Sequence, residues 1–199
     1  MKKSAASITV TIAAAILATA ALLGCSATPP AQLPTVGTVD LARYAGAWYE
    51  IALIPNGFQA QCVADTQARY RSLGADIEVF NRCRKSEGTL ADATGIAKVV
   101  PASGNAKLRL SFFRPFYGDY WVLALPDDYR WVLVGEPSRQ YGWLLSRTAQ
   151  LPAADWDAAM TKAEAVGYSR SAFRLTPQTQ PLPVTPASQP AGAGAGGAD

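Results

Sequence analysis

Histidine is absent from all 199 residues of the chain. With it go the imidazole general base, the Ser-His-Asp triad and the commonest metal ligand. Cysteine is scarce, at 3 residues, and so few thiolates without histidine make a poor metal site. Charge is thin, at 17% of residues, and neither sign gathers into long runs. Carboxylates are present, but none forms a recognisable acidic pair. Helix-length connections between strand-like segments are missing, which argues against parallel βαβ architecture. A long membrane span is missing as well, because the apolar run Ile8–Leu23 falls short of the roughly 20 residues needed to cross a bilayer. The expectation is a protein that is not an enzyme and holds no metal or cofactor.

What is present begins at the amino terminus. Lys2 and Lys3 precede the apolar run, and Leu22-Leu23-Gly24-Cys25 follows it. This order resembles the signal peptide and lipobox of bacterial lipoproteins. The resemblance implies cleavage after Gly24 and acylation of Cys25, and two or more chains anchor stably where one is marginal. Ser26, rather than aspartate, follows Cys25, which by the same resemblance implies sorting to the outer membrane, with the domain facing the periplasm. Without Lys2 and Lys3 the chain keeps 16 basic and 15 acidic residues, a net charge of +1. Nothing in that balance points to nucleic acid.

Composition then divides the chain. Residues 1–24 read as signal peptide and 25–39 as lipidated terminus and flexible tether. Residues 40–177 read as one domain, and 178–199 as a disordered tail rich in Pro, Ala and Gly. Strands are expected at Gly46–Ile54, Cys62–Arg71, Ala75–Cys83, Thr89–Val100, Ala106–Phe113, Asp119–Leu125, Tyr129–Gly135 and Tyr141–Arg147, with turn residues between them. Eight short strands at near-regular spacing fit an antiparallel up-and-down barrel or a sandwich. One amphipathic helix, Pro152–Val166, carries Trp156 and Met160 on one face and is expected to pack outside the sheet. A short strand within Ala172–Leu175 would follow it.

Pairing the second and third strands about Ser72-Leu73 sets Tyr70 against Ala75 and Cys62 against Cys83. It also places Asp65, Gln67, Arg69, Glu78 and Arg82 together on the other face. In an oxidising periplasm a Cys62–Cys83 disulfide is expected.

Two distant features belong together. Asp40 caps a short helix that runs into Gly46-Ala47-Trp48, and the eighth strand ends in Ser146-Arg147-Thr148. The combination resembles the lipocalin signature. RYAGAWYEIA, LSFFRPFYGDYWVLAL and YGWLLSRT, in that order, resemble the bacterial outer-membrane lipocalin group. That group's middle Thr-Asp-Tyr motif is not clear here, where Leu125-Pro126-Asp127-Asp128-Tyr129 stands instead. The resemblance implies an all-β fold, an eight-stranded antiparallel up-and-down barrel with one C-terminal helix outside. Its cavity would take a fatty acid or lysophospholipid. Gly46, Trp48 and Arg147 would mark the closed base.

The mouth would then be formed by Pro55–Gln61, Arg84–Gly88, Arg114–Gly118 and Glu136–Gln140. Phe58, Phe116 and Tyr117 stand there beside Arg84, Lys85, Arg114 and Arg139, a pattern that suits an amphiphile with an anionic head. The expected ligand contacts are Tyr117, Trp143, Phe112, Phe116 and Arg114. Two alternatives stay open: an envelope interaction module whose barrel is filled by side chains, and a lipid-modifying enzyme. Whether the barrel forms a homodimer is left open too.

Overall fold

The computed structural model describes residues 33–181. The signal peptide, Cys25 and residues 182–199 of the expected tail lie outside the described residues. Within them a short helix α1 (Leu41–Tyr44) leads into eight strands. These are β1 (Gly46–Leu53), β2 (Ala64–Leu73), β3 (Asp76–Arg84), β4 (Leu90–Val99), β5 (Lys107–Phe113), β6 (Phe116–Ala124), β7 (Trp131–Gly135) and β8 (Gly142–Ser146). Helix α2 (Ala153–Ala165) and a two-residue strand β9 (Arg174–Leu175) follow. Each strand pairs antiparallel with the next, and β1 pairs with both β8 and β2, so the sheet closes on itself. The fold is the expected eight-stranded barrel with its helix outside, and closure leaves no long free edge.

Two cores follow from strand alternation. Inside, Trp48, Tyr70, Val79, Leu108, Tyr120, Val122, Val132, Val134 and Leu145 pack the lower half of the barrel. Outside, Ile51, Leu133 and Leu144 meet Ala159, Met160 and Ala163 of α2, with Tyr168 and Phe173 beside them. Strand β7 serves both cores, so every residue from Trp131 to Gly135 is buried, and its sequence shows no polar face. Trp156 sits at the margin of the helix contact, only partly buried.

The base is held by the signature residues. Asp40 Oδ1 accepts from the Ala42 and Arg43 amides and caps α1. Arg147 lies with its guanidinium 3.7 Å from the centroid of the Trp48 ring. It donates to the carbonyls of Ala47 (2.9 Å), Arg43 (2.6 Å) and Tyr44 (3.2 Å). The Trp48 indole donates to the Tyr44 carbonyl at 2.8 Å. Gly46 has φ +94°, a left-handed value that favours glycine, and Arg147 passes directly beside it.

Three expectations need correction. The β2–β3 hairpin pairs Tyr70 with Val79 and Leu73 with Asp76, four residues out of the expected register. The turn is made at Gly74-Ala75, where Gly74 supplies φ +63°, and not at Ser72-Leu73. Four is even, so the side chains from Gln67 to Leu73 keep their expected faces. The Cys62–Cys83 disulfide forms all the same, with Cα atoms 5.5 Å apart. A bulge between Ala64 and Gln67 ends the regular pairing, and Cys62 approaches from the preceding loop instead of from the strand.

The second correction is at the amino-terminal side of the domain. Residues 33–39 are not a free tether. Leu33 is buried in the outer core and Val39 in the inner one, while the Val36 amide donates to the Val122 carbonyl at 3.0 Å.

The third is at the carboxyl end, where residues 178–180, expected in the tail, are bonded to the barrel. Thr176 donates its amide to the Ile51 carbonyl, and the Pro177 carbonyl accepts from the Asp65 amide. Gln178 Nε2 donates to the carbonyls of Glu50 (2.9 Å) and Thr66 (3.1 Å). The segment from Arg174 to Gln180 thus fills the seam where β1 and β2 part above the Tyr49–Gln67 pair.

Candidate functional site

Toward the end opposite Arg147 the barrel holds a cavity of ≈ 700 Å³, within the usual range of ligand pockets. Its walls are mainly apolar and aromatic. Leu110, Phe112, Tyr117, Trp143 and Leu145 line it, and Tyr70 and Tyr120 lie toward the base. The loops around the mouth are those the alternation of connections predicts.

The tyrosines are committed to one another. Tyr120 Oη lies 2.6 Å from Tyr44 Oη and 2.7 Å from Tyr70 Oη. Burial pushes all three phenols above their ordinary range, so they stay neutral at physiological pH.

A one-turn 3-10 helix, Gly57–Gln59, leans over the mouth, capped by Asn56 Oδ1, which accepts from the Gln59 amide. Phe58 sets its ring 5.4 Å from Tyr141 and 6.3 Å from Trp143. Gln59 joins two walls: its Oε1 accepts from the Trp143 indole at 3.1 Å, and its Nε2 donates to Glu50 Oε2 at 2.6 Å. Thr176 Oγ1 donates to the other Glu50 oxygen at 2.6 Å. Glu50 is only 4% exposed, and burial raises its carboxyl above the usual range despite those two donors. Sequence reasoning missed this residue. The signal was available, since Glu50 is the acid of Gly46–Leu53 and shares the inward parity of Trp48.

The five expected ligand contacts divide. Phe112, Phe116, Tyr117 and Trp143 all line the cavity. Phe116 is 70% exposed and stacks on Phe113 across the hairpin end, with ring centroids 6.2 Å apart. Arg114 does not line the cavity. It is a turn residue between the paired Phe113 and Phe116, at the hairpin tip.

The rim cations also differ from expectation. Arg84 Nε bonds the buried Asp65 carboxylate at 2.7 Å. Lys85 lies 2.6 Å from Glu87. Arg139 Nε donates to the Val166 carbonyl at 2.8 Å and so ties the end of α2 to the β7–β8 turn. Of the four expected rim cations only Arg114 lacks such a partner among the described residues.

Asp65 organises this side of the rim. It sits at φ 54° in the bulge and accepts from the Thr179 amide at 2.7 Å and the Gln180 amide at 3.0 Å. Burial works to raise its pKa, but the Arg84 bond and the two amides outweigh it and hold the carboxyl below its ordinary value.

Among the described residues no group of three or more Cys, Asp or Glu side chains could hold a metal ion, and no helix is long and apolar enough to cross a membrane.

Comparison with known proteins places this geometry. Residues 39–178 match the family model of the lipocalin-like domain. The temperature-induced lipocalin-1 of Arabidopsis thaliana is 39% identical over 162 residues, covering 76% of this chain and 86% of the relative. The outer membrane lipoprotein Blc of Escherichia coli is 39% identical over 135 residues, covering 66% and 76%. Among solved structures, insecticyanin from the tobacco hornworm Manduca sexta superposes with a TM-score of 0.62 at 21% identity, covering 74% of this chain and 85% of that one.

Proposed function

The chain belongs to the lipocalin family of small-hydrophobic-ligand binding proteins, which are not enzymes, and from that premise we propose that it carries a fatty acid or lysophospholipid in a bacterial envelope. The cavity carries the reading. It is closed below by the Trp48–Arg147 base and the tyrosine cluster, open at the aromatic mouth, and not filled by side chains. A single acyl chain fits such a space, and each buried methylene contributes about 0.8 kcal/mol. A polar head would stay at the mouth, where Arg114 stands and water reaches.

The outer membrane is the proposed location, with Cys25 as the acylated anchor. The lipobox supports it, as does the relative Blc, which is an outer membrane lipoprotein.

The test is a titration of the purified protein with saturated fatty acids of increasing length, followed by tryptophan fluorescence. Trp143→Phe identifies the reporter. Affinity should rise about fourfold per methylene, the equivalent of about 0.8 kcal/mol, and then level off when the cavity is full. Every ligand should be recovered unchanged. Absence of binding at micromolar concentration, or affinity indifferent to chain length, overturns the reading.

A further inference from the structure

The cavity wall is not uniformly greasy. Glu50 on β1, Thr66 at the β2 bulge and Asn81 on β3 all line it. They come from three successive strands, with Asn81 paired to Ala68, two residues along from Thr66. Their height in the barrel is intermediate: Trp48 and the tyrosine cluster lie below, and the Gln59–Trp143 bridge lies above.

Two of the three present atoms with nothing to bond. Thr66 Oγ1 and Asn81 Oδ1 are buried and have no hydrogen-bond partner among the described residues, and Thr66 as a whole is 6% exposed. The Thr66 carbonyl accepts from Gln178 Nε2, but its hydroxyl makes no bond to the seam. Glu50 takes one donor on each oxygen and keeps lone pairs to spare.

Such a set is costly to cover with hydrocarbon. A saturated chain laid against these oxygens leaves them without a partner. A ligand hydroxyl at the right height would donate to Asn81 Oδ1 or Glu50 and accept from Thr66 Oγ1. Contrast the tyrosine cluster below, where each hydroxyl already has a partner.

We propose that Glu50, Thr66 and Asn81 form a polar subsite in the cavity wall that recognises a hydroxyl group carried along an acyl chain. This deepens the lipid-carrier reading and rests on it. The preferred ligand class becomes hydroxylated acyl chains in place of simple saturated ones.

The experiment compares stearic acid with hydroxystearic acids bearing the hydroxyl near the carboxylate, at mid-chain and toward the methyl end, each titrated against the full-length protein. One positional isomer should bind about fivefold more tightly than stearic acid, the return on one matched hydrogen bond. In Thr66→Val with Asn81→Leu that ratio, taken against stearic acid measured on the same variant, should fall to one. Thr66→Val alone should lower the ratio part-way, and thermal melting of each variant verifies folding. Three results overturn the subsite while leaving the carrier intact: stearic acid matching every isomer, all isomers gaining equally, or a preference that survives in the double variant. Failure of stearic acid and all isomers to bind removes carrier and subsite together.

Discussion

Removing the Arg147 side chain separates base from mouth. In Arg147→Ala the cation over Trp48 is lost, a contact worth about 1–2 kcal/mol when partly desolvated. Hydrogen bonds to three carbonyls go with it. The Tyr44 carbonyl keeps the Trp48 indole as a donor, so the lasting loss falls on Ala47 and Arg43. Charged hydrogen bonds contribute about 1.5–3 kcal/mol, but part of this group is exposed and water replaces some of it. A net loss of about 3 kcal/mol follows. For a domain of this size each kcal/mol lowers the melting temperature by roughly 2–4 °C, so a drop of about 10 °C is expected by calorimetry or circular dichroism. Arg147→Lys should recover only part of it, because an ammonium cannot span the carbonyls as the planar guanidinium does. Fatty-acid affinity, measured well below the new melting temperature, should change less than about twofold, since Arg147 lies at the opposite end from the mouth. A large loss of affinity with an unchanged melting temperature would mean that the base has been assigned to the wrong end of the barrel.

Two further outcomes are expected. Asp65 titrates below its unfolded value, so its contribution is present above about pH 4 and is lost as pH falls through the lower folded value. Asp65→Asn keeps the left-handed backbone that asparagine tolerates and leaves Arg84 without its carboxylate counter-ion. It should cost about 3 kcal/mol at pH 7 and flatten the acid limb of a urea-stability profile, whereas parallel profiles would show that Asp65 does not hold the seam. Cys25→Ala should release the protein from the outer-membrane fraction and abolish the acyl mass on the amino-terminal peptide; a variant that still fractionates with the membrane and carries that mass contradicts anchoring at Cys25.

Alternation and turn chemistry made the barrel legible, because both act within a few residues. The turns at Pro55-Asn56-Gly57, Ser103-Gly104-Asn105 and Pro126-Asp127-Asp128 all fall between observed strands. Register was harder. One hairpin moved by four residues because Gly74, with its positive φ, outcompetes Ser72-Leu73 as a turn. The inward set survived since side chains alternate with period two. The ends of the domain were misread for a different reason. Averaged composition says little about one buried Leu33, or about Gln178 reaching two carbonyls, and such single anchors decide where order begins. Partner choice was the least legible of all, because Arg84 and Asp65 lie 19 residues apart and meet only after the bulge has formed.

That last point changes where selectivity for the ligand resides. A count of rim arginines and lysines suggests an anion sieve at the mouth. Yet Arg84 neutralises Asp65, Lys85 faces Glu87, and Arg139 closes the end of α2. A cation already bonded to a buried carboxylate gives little to a head group, since taking one partner means releasing another. Arg114 is left to attract charge, and as an exposed tip residue it is screened by salt and acts more on encounter than on residence. Residence must then come from the buried surface. The aromatic and aliphatic wall measures chain length by area alone, without regard to which lipid supplies the chain. The proposed subsite adds a chemical distinction inside the barrel through the oxygens of Glu50, Thr66 and Asn81. They are shielded from salt and strengthened by low local dielectric, so a polar group matched there counts for more than a charge at the rim.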